Sequence, residues 1–236
     1  MTHTVISPAI LYWGTPVVIV SSENEDGTTN LSPISSAFWL GGRCVLGFDA
    51  GSKTPQNIIR TGQCVVNLPD DAMAANVNGL ARTTGTFPVP PGKVNRGYSF
   101  VGDKWAEASL TPAPSDLVRP DRVLECPVQM ECTAAITHPM MSNAPSIAGV
   151  IIAIEVAVAR VHVKETLRME GYPNRIDPDK WRPMIMSFQE FYGLRSGKLG
   201  KSKLGEIEEE KYRLLQSKDE VIQEAVQGAG EDIAGK

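Results

Sequence analysis

Histidine is scarce in this chain of 236 residues, where His3, His138 and His162 are the only three. A histidine-built metal centre or catalytic triad has few residues to draw on, and neither H-E-x-x-H nor G-x-S-x-G occurs. Cysteine is also sparse. Cys44, Cys64, Cys126 and Cys132 stand in apolar stretches without C-x-x-C spacing, which argues against zinc or a thioredoxin-like pair and predicts buried free thiols. An excess of basic charge is missing too: the formal net charge is -4 and the pI is near 5.5. Nucleic acid and anionic membrane are therefore not expected partners, although a small anion can still be held locally. No apolar run approaches the roughly 20 residues that span a bilayer, and the N-terminus shows neither the basic start nor the cleavage site of a signal peptide, so the expected location is the cytoplasm.

What the sequence does have is β-forming residues. Segments 15–21, 43–48, 63–68, 122–135 and 148–164 are rich in Val and Ile and read as strands, most of them bounded by turn residues. Helical signals are shorter. Thr54 and Pro55 open a helix running to Arg60, Asp70 or Asp71 caps a second through Arg82, and Asp103 caps a third near 105–110. Between them, residues 83–96 form a loop interrupted by Pro88, Pro90 and Pro91; a loop of this length in a compact domain is functional or dimer-forming. The elements do not alternate as in a doubly wound sheet. The expected fold is mainly β, an antiparallel closed or sandwich-like barrel with a few short helices, over residues 1–202. Residues 203–236 form a charged tail with a weak helical stripe (Ile207, Leu214, Leu215, Val221, Ile222), expected to be helical or partly disordered.

Two short segments carry the chemistry. A phosphate needs several converging N–H or O–H donors and usually a cation. Gly51-Ser52-Lys53-Thr54-Pro55 offers hydroxyls, a charge and the N-terminus of a helix, although a plain capped turn would read the same way. It is not a P-loop, because Gly47 and Gly51 are four apart and Ser52 intervenes before the lysine. The second segment, Asn30-Leu31-Ser32-Pro33-Ile34-Ser35-Ser36, presents an amide and three hydroxyls on a backbone restrained by Pro33. A solvated serine-rich turn is the plainer reading.

Taken together, NLSPISSAFW (30–39), VLGFDAGSKT (45–54), NIIRTG (57–62), CVVNLP (64–69) and ECPVQME (125–131) resemble the flavin reductase-like FMN-binding split-barrel family, of flavin reductase or flavoredoxin type. The likeness runs from about Trp13 to Tyr192. It implies a split barrel, a homodimer, and FMN (FAD being the alternative) near the subunit interface. Carried over by position, it places Asn30, Ser32, Ser35 and Ser36 along the flavin toward its phosphate, Asp49, Ala50 and Gly51 beside the isoalloxazine ring, and Ser52, Lys53 and Thr54 on the phosphate. Asn57, one turn into the helix, supports them. The implied reaction is hydride transfer from NAD(P)H to flavin, with a flavin-dependent monooxygenase or another acceptor taking the electrons. No catalytic residue is assigned.

The chain departs from the family in one respect. Where two-component flavin reductases carry a Gly-Asp-His motif linked to nicotinamide binding, it has Ala153-Ile154-Glu155-Val156, and His162 lies too far on to substitute. Glu155 in an apolar run is expected to pair with an arginine or sit at a rim, a catalytic acid being the other reading. Trp13, Trp181 and Tyr192 are candidates to cover a flavin face, or to pack in the core or a dimer interface. Two further readings of function stay open: a flavin carrier or electron-transfer protein without nicotinamide activity, and a flavoenzyme whose 83–96 loop and tail shape a pocket for an organic substrate.

Overall fold

The computed structural model describes residues 2–194 together with 197, 199, 200, 202, 206 and 209–212. Its first half contains β1 (Trp13–Pro16), β2 (Val18–Glu23), β3 (Thr29–Ile34), β4 (Ala37–Leu40), β5 (Arg43–Asp49), α1 (Lys53–Thr61), β6 (Cys64–Leu68) and α2 (Ala74–Leu80). There follow β7 (Thr83–Thr84), α3 (Pro91–Val94), β8 (Ser99–Phe100), α4 (Lys104–Glu107), β9 (Pro112–Ala113), β10 (Arg122–Val123), β11 (Val128–Pro139), β12 (Ile151–Val163), β13 (Ile185–Ser187) and β14 (Glu190–Tyr192). One antiparallel sheet dominates, in the order β3-β2-β6-β11-β12-β5-β4. A smaller sheet, β1-β13-β14, lies beside it. This is the mainly β, antiparallel architecture expected from the sequence.

Alternation along β2 shows how the core is divided. Val18 and Val20 enter one cluster with Leu46, Phe48, Ile58, Cys64, Val66, Ile154 and Val156. Val17 and Ile19 enter another with Leu31, Met73, Val77, Leu80 and Met184. Side chains of period two thus feed both faces of the sheet, each fully buried Val, Leu or Ile contributing about 1.5–3 kcal/mol. Ile58 anchors α1 in the first cluster, and Gly62, at φ 66°, stops that helix by donating its N–H to the Ile58 carbonyl.

Several expectations shift. The 30–36 segment is a strand, β3, through Ile34; it lies at the edge of the sheet, where Pro33 costs no interior ladder bond. The expected strand over 122–135 is split into β10 and β11. The second helix is delayed and shortened: Asp70 caps a 3-10 turn (Asp71–Met73) by accepting from Ala72 N, and the helix proper ends at Leu80, where Ala81 turns extended and Arg82 follows at a positive φ of 55°. The 83–96 loop is not wholly irregular, since Thr83 and Thr84 pair in parallel with β8 and Pro91 opens α3. Apart from a 3-10 turn at Glu209–Tyr212, the expected tail helix lies outside the described residues. Among those residues, no helix is long and apolar enough to cross a membrane.

One buried carboxylate ties a long loop to the sheet. Glu131, 0% exposed, accepts N–H bonds from Asp116 (2.9 Å), Leu117 (2.6 Å) and Val118 (3.2 Å), and His162 Nε2 donates to its Oε1 at 2.6 Å. Burial alone would raise its pKa, but these backbone donors and His162 outweigh it and hold the group below the usual carboxylate range. Its stabilising contribution is complete above the unfolded value of about 4.5 and is lost as pH falls through the depressed folded value. Glu131→Ala strands several amide donors, so urea unfolding at neutral pH should show a loss of about 3–5 kcal/mol, shrinking in acid.

Candidate functional site

The two segments singled out in the sequence meet because α1, which follows β5, folds back over β2 and β3, although β2, β6, β11 and β12 separate β3 from β5 in the sheet. Where β3 gives way to β4, Ser35 and Ser36 break the strand. Gly47 of β5 donates its N–H to the Ser36 carbonyl at 2.8 Å, and a Cβ at Gly47 would lie 2.9 Å from Ser36 Cβ. Only glycine permits that approach. The Tyr12 hydroxyl lies 3.3 Å from Ser36 Oγ.

A cavity of about 890 Å³ opens at this junction, in the upper part of the range for small-molecule sites. Asn30, Ser32, Ser35, Ser36, Asp49, Ser52, Lys53 and Thr54 all line it. Ala50, Gly51 and Asn57 do not. Ala50 packs against the core, and Gly51 N donates to Asp49 Oδ1 at 2.9 Å, so these shape the turn. Asn57 is fully buried behind the wall, donating to Ser22 Oγ (3.2 Å) and Asn24 Oδ1 (2.9 Å). Ser52 is the N-cap of α1 and its side chain makes no capping bond, while the amides of the first turn have no intrahelical acceptor. Hydroxyl donors and a helix N-terminus therefore converge as anion binding requires.

The cations come largely from residues that sequence reasoning passed over. Arg82, Lys93, Arg96 and Lys104 share the cavity wall with Lys53. Lys53 is already engaged, its Nζ 2.5 Å from Glu25 Oε2, and Arg96 approaches Asp49 at 3.8 Å. Lys93 and Lys104 form no ion pair among the described residues. Burial lowers the Lys93 pKa, partly opposed by Asp49. Burial, and then the charge of Lys93, lowers that of Lys104 to about 8. Two ammonium groups held down by desolvation first and by a neighbouring cation after it, Arg96 for Lys93 and Lys93 for Lys104, gain from an arriving anion. The sequence carries part of the signal: Lys93 and Arg96 lie in the 83–96 loop expected to be functional, whereas Lys104 stands between the Asp103 cap and the stretch expected to be helical, with nothing local to single it out.

Other candidates fall elsewhere. Glu155 sits 3.7 Å from Arg43 Nε and 3.6 Å from His138 Nε2, away from the cavity lining. Trp13 packs edge-on against Phe188 with centroids 4.6 Å apart; Phe188 lines the cavity, whereas Trp13, Trp181 and Tyr192 do not. Ligand atoms of Asp116, Glu131 and His162 lie within 4.8 Å of one another, yet Glu131 is saturated by N–H donors and Arg160 holds Asp116 at 2.5 Å. That arrangement serves to fasten a loop. All four cysteines are buried free thiols, and burial pushes Cys44 up to about 12, which removes it as a nucleophile.

A cradle of this composition has the donors and charge to hold a small anion, and comparison with known proteins gives the family. Residues 12–171 match the flavin reductase like domain family. The uncharacterized protein YdfE of Bacillus subtilis (strain 168) is 35% identical over 189 residues, covering 80% of this chain and 88% of that protein. Among solved structures, the flavoredoxin of Desulfovibrio vulgaris (Miyazaki F) superposes with a TM-score of 0.67 at 19% identity, covering 86% of this chain and 98% of that one. Nitrilotriacetate monooxygenase component B from Bacillus cereus gives a TM-score of 0.63 at 24% identity, with 82% and 89% covered. At these identities the structures speak for the fold. With most of its barrel matched by the family and both serine-bearing segments in the cavity, the chain belongs to the flavin reductase-like family of split-barrel flavoproteins.

Proposed function

We propose that the chain is an FMN-dependent oxidoreductase that takes hydride from NAD(P)H and passes electrons to a separate acceptor. The observation that carries the flavin part is the pairing of two desolvated lysines, Lys93 and Lys104, with the hydroxyls of Ser32, Ser52 and Thr54 in one cavity of a net acidic protein. An FMN phosphate answers both the charge and the donors. Bound flavin would supply a ring that accepts and releases hydride or electrons. The work of the protein is then to hold the phosphate, position the ring and leave one face open. Lys93 and the first-turn amides of α1 would meet the phosphate, with the charge of Lys104 behind them, and Asp49 and Ser36 would lie along the rest of the molecule. FAD, with its longer tail, is the alternative ligand.

The surroundings suit this role. Free thiols fit a reducing compartment, so we place the protein in the cytoplasm. A homodimer is supported by an exposed row that crosses four strands in register, Phe38, Val45, Glu155 and Ile136, of which Phe38 and Ile136 are 56% and 50% exposed. A monooxygenase acceptor draws support from the name of the Bacillus cereus neighbour, itself a monooxygenase component.

A second reading, a flavin carrier without nicotinamide activity, is favoured by one observation. At the place of the family's nicotinamide motif stands Glu155, tied to Arg43 and His138 outside the cavity.

Titration of the apoprotein into FMN should quench flavin fluorescence. Lys93→Ala should weaken binding about tenfold, the scale of one charge-assisted hydrogen bond, and Lys53→Ala less, because Glu25 already compensates that charge. Equal and negligible effects of both would remove the phosphate assignment. Anaerobic addition of NADH or NADPH to the FMN complex should bleach the flavin absorbance stoichiometrically; retention of the oxidised spectrum with both would favour the carrier.

A further inference from the structure

Lys104 is 5% exposed, an unusual state for a lysine without an ion-pair partner. Its ammonium can only donate, and it donates to Asn30 Oδ1 at 3.0 Å and to the Leu31 carbonyl at 2.8 Å. The first of these bonds dictates the orientation of the Asn30 amide. With Oδ1 facing the ammonium, Nδ2 is left to donate to Thr54 Oγ1 at 2.9 Å and to Ser22 Oγ at 3.4 Å. The reversed amide would set N–H against N–H. Ser22 Oγ also receives Asn57 Nδ2 at 3.2 Å, so the amides of Asn30 and Asn57 point the same way into one buried network.

The consequence falls on Thr54. It is 2% exposed and lines the cavity, and its oxygen is already accepting from Asn30. Its own proton is therefore free to donate. Gly85 packs close on the other side: a Cβ there would lie 2.7 Å from Asn30 Oδ1 and 3.4 Å from Lys53 Cγ, so only glycine leaves room for the amide.

We propose that Lys104 is a positioning residue of the anion site, acting through Asn30 to hold Thr54 as a hydroxyl donor toward the bound phosphate. The inference rests on the flavin-phosphate reading and adds to it the residue that sets the polarity of the site. Lys104 also gives it a pH dependence. Its pKa is lowered to about 8, first by burial and then by Lys93. An anion binds the charged form better, so affinity holds below about pH 8 and declines as pH rises through it. β3 and α2, which pack against α4, carry no titratable side chain. On the α4 side, the Asp103 carboxylate is taken by the N–H groups of Trp105 and Ala106, and Glu107 is exposed. Around the cavity stand Asp49, Lys53, Arg82, Lys93, Arg96 and Glu190, with the phenols of Tyr12 and Tyr98.

FMN titrations at about one unit either side of pH 8 test this with wild type, Lys104→Met, Lys104→Arg, Thr54→Val and the Lys104→Met/Thr54→Val double variant. Lys104→Met should bind about tenfold or more weakly at the lower pH and show a shallower pH dependence, the remainder belonging to Lys93, while Lys104→Arg should recover part of the loss. The double variant should bind no worse than Lys104→Met, because the two residues act in series. Unchanged affinity in Lys104→Met, or fully additive losses, would overturn the proposal. Should Lys104→Met fail to fold, Lys104→Arg and Lys104→Arg/Thr54→Val still decide: a loss from Thr54→Val that is smaller in the Lys104→Arg background supports the relay, and an equal loss refutes it. A wild type that binds no FMN would instead fell the flavin reading, and the same coupling would then be measured with inorganic phosphate.

Discussion

The buried side-chain amide of Asn30 ties four elements together at one point, beside the apolar contacts that pack them. It links β3 to Ser22 on β2, to Thr54 on α1 and to Lys104 on α4. No apolar side chain of similar volume could do this, because each of its neighbours presents a polar atom that would be left unpaired in the interior. The serine-bearing strand and the phosphate-facing helix end are held in register by that group, and the shape of the cavity follows. Gly85 shows the tolerance: the backbone passes so close to Asn30 Oδ1 that even a methyl group is excluded.

The electrostatics of the cavity run against those of the whole chain. A formal net charge of -4 repels anions at long range, but screening confines that effect to roughly a Debye length, about 8–10 Å at physiological salt. Inside the cavity the local balance is positive. Glu25 and Asp49 offset Lys53 and Arg96, and Glu190 and Arg82 on the same wall carry opposite single charges, leaving Lys93 and Lys104, both desolvated before any ligand arrives. The cost of taking these two charges out of water falls on folding, so a phosphate meets a site whose donors are already in place.

Much of this was legible in the sequence. The Val- and Ile-rich stretches gave the major strands, and the paired segments 30–36 and 51–55 gave one wall of the cavity. What escaped did so for identifiable reasons. The edge strand β3 was hidden because Pro33 and three serines are strand-breaking by composition, a cost that vanishes where one side of the ladder faces no neighbour. The position of Lys53 after Ser52 points to a phosphate cation, and the fold adds to its ammonium a partner no local pattern shows, Glu25 in a turn 28 residues earlier. Lys104 is 74 residues from Asn30. No local pattern connects them, and a lysine inside a capped helical turn reads as solvent-facing until the tertiary fold buries it.

The central claim is that the cavity grips a flavin through its phosphate, and riboflavin, which has the same ring without that group, isolates the contribution. Equilibrium binding of FMN and riboflavin to the purified apoprotein should differ by about a hundredfold or more in favour of FMN, the scale of two or more charge-assisted hydrogen bonds. Equal affinities for the two would contradict the account.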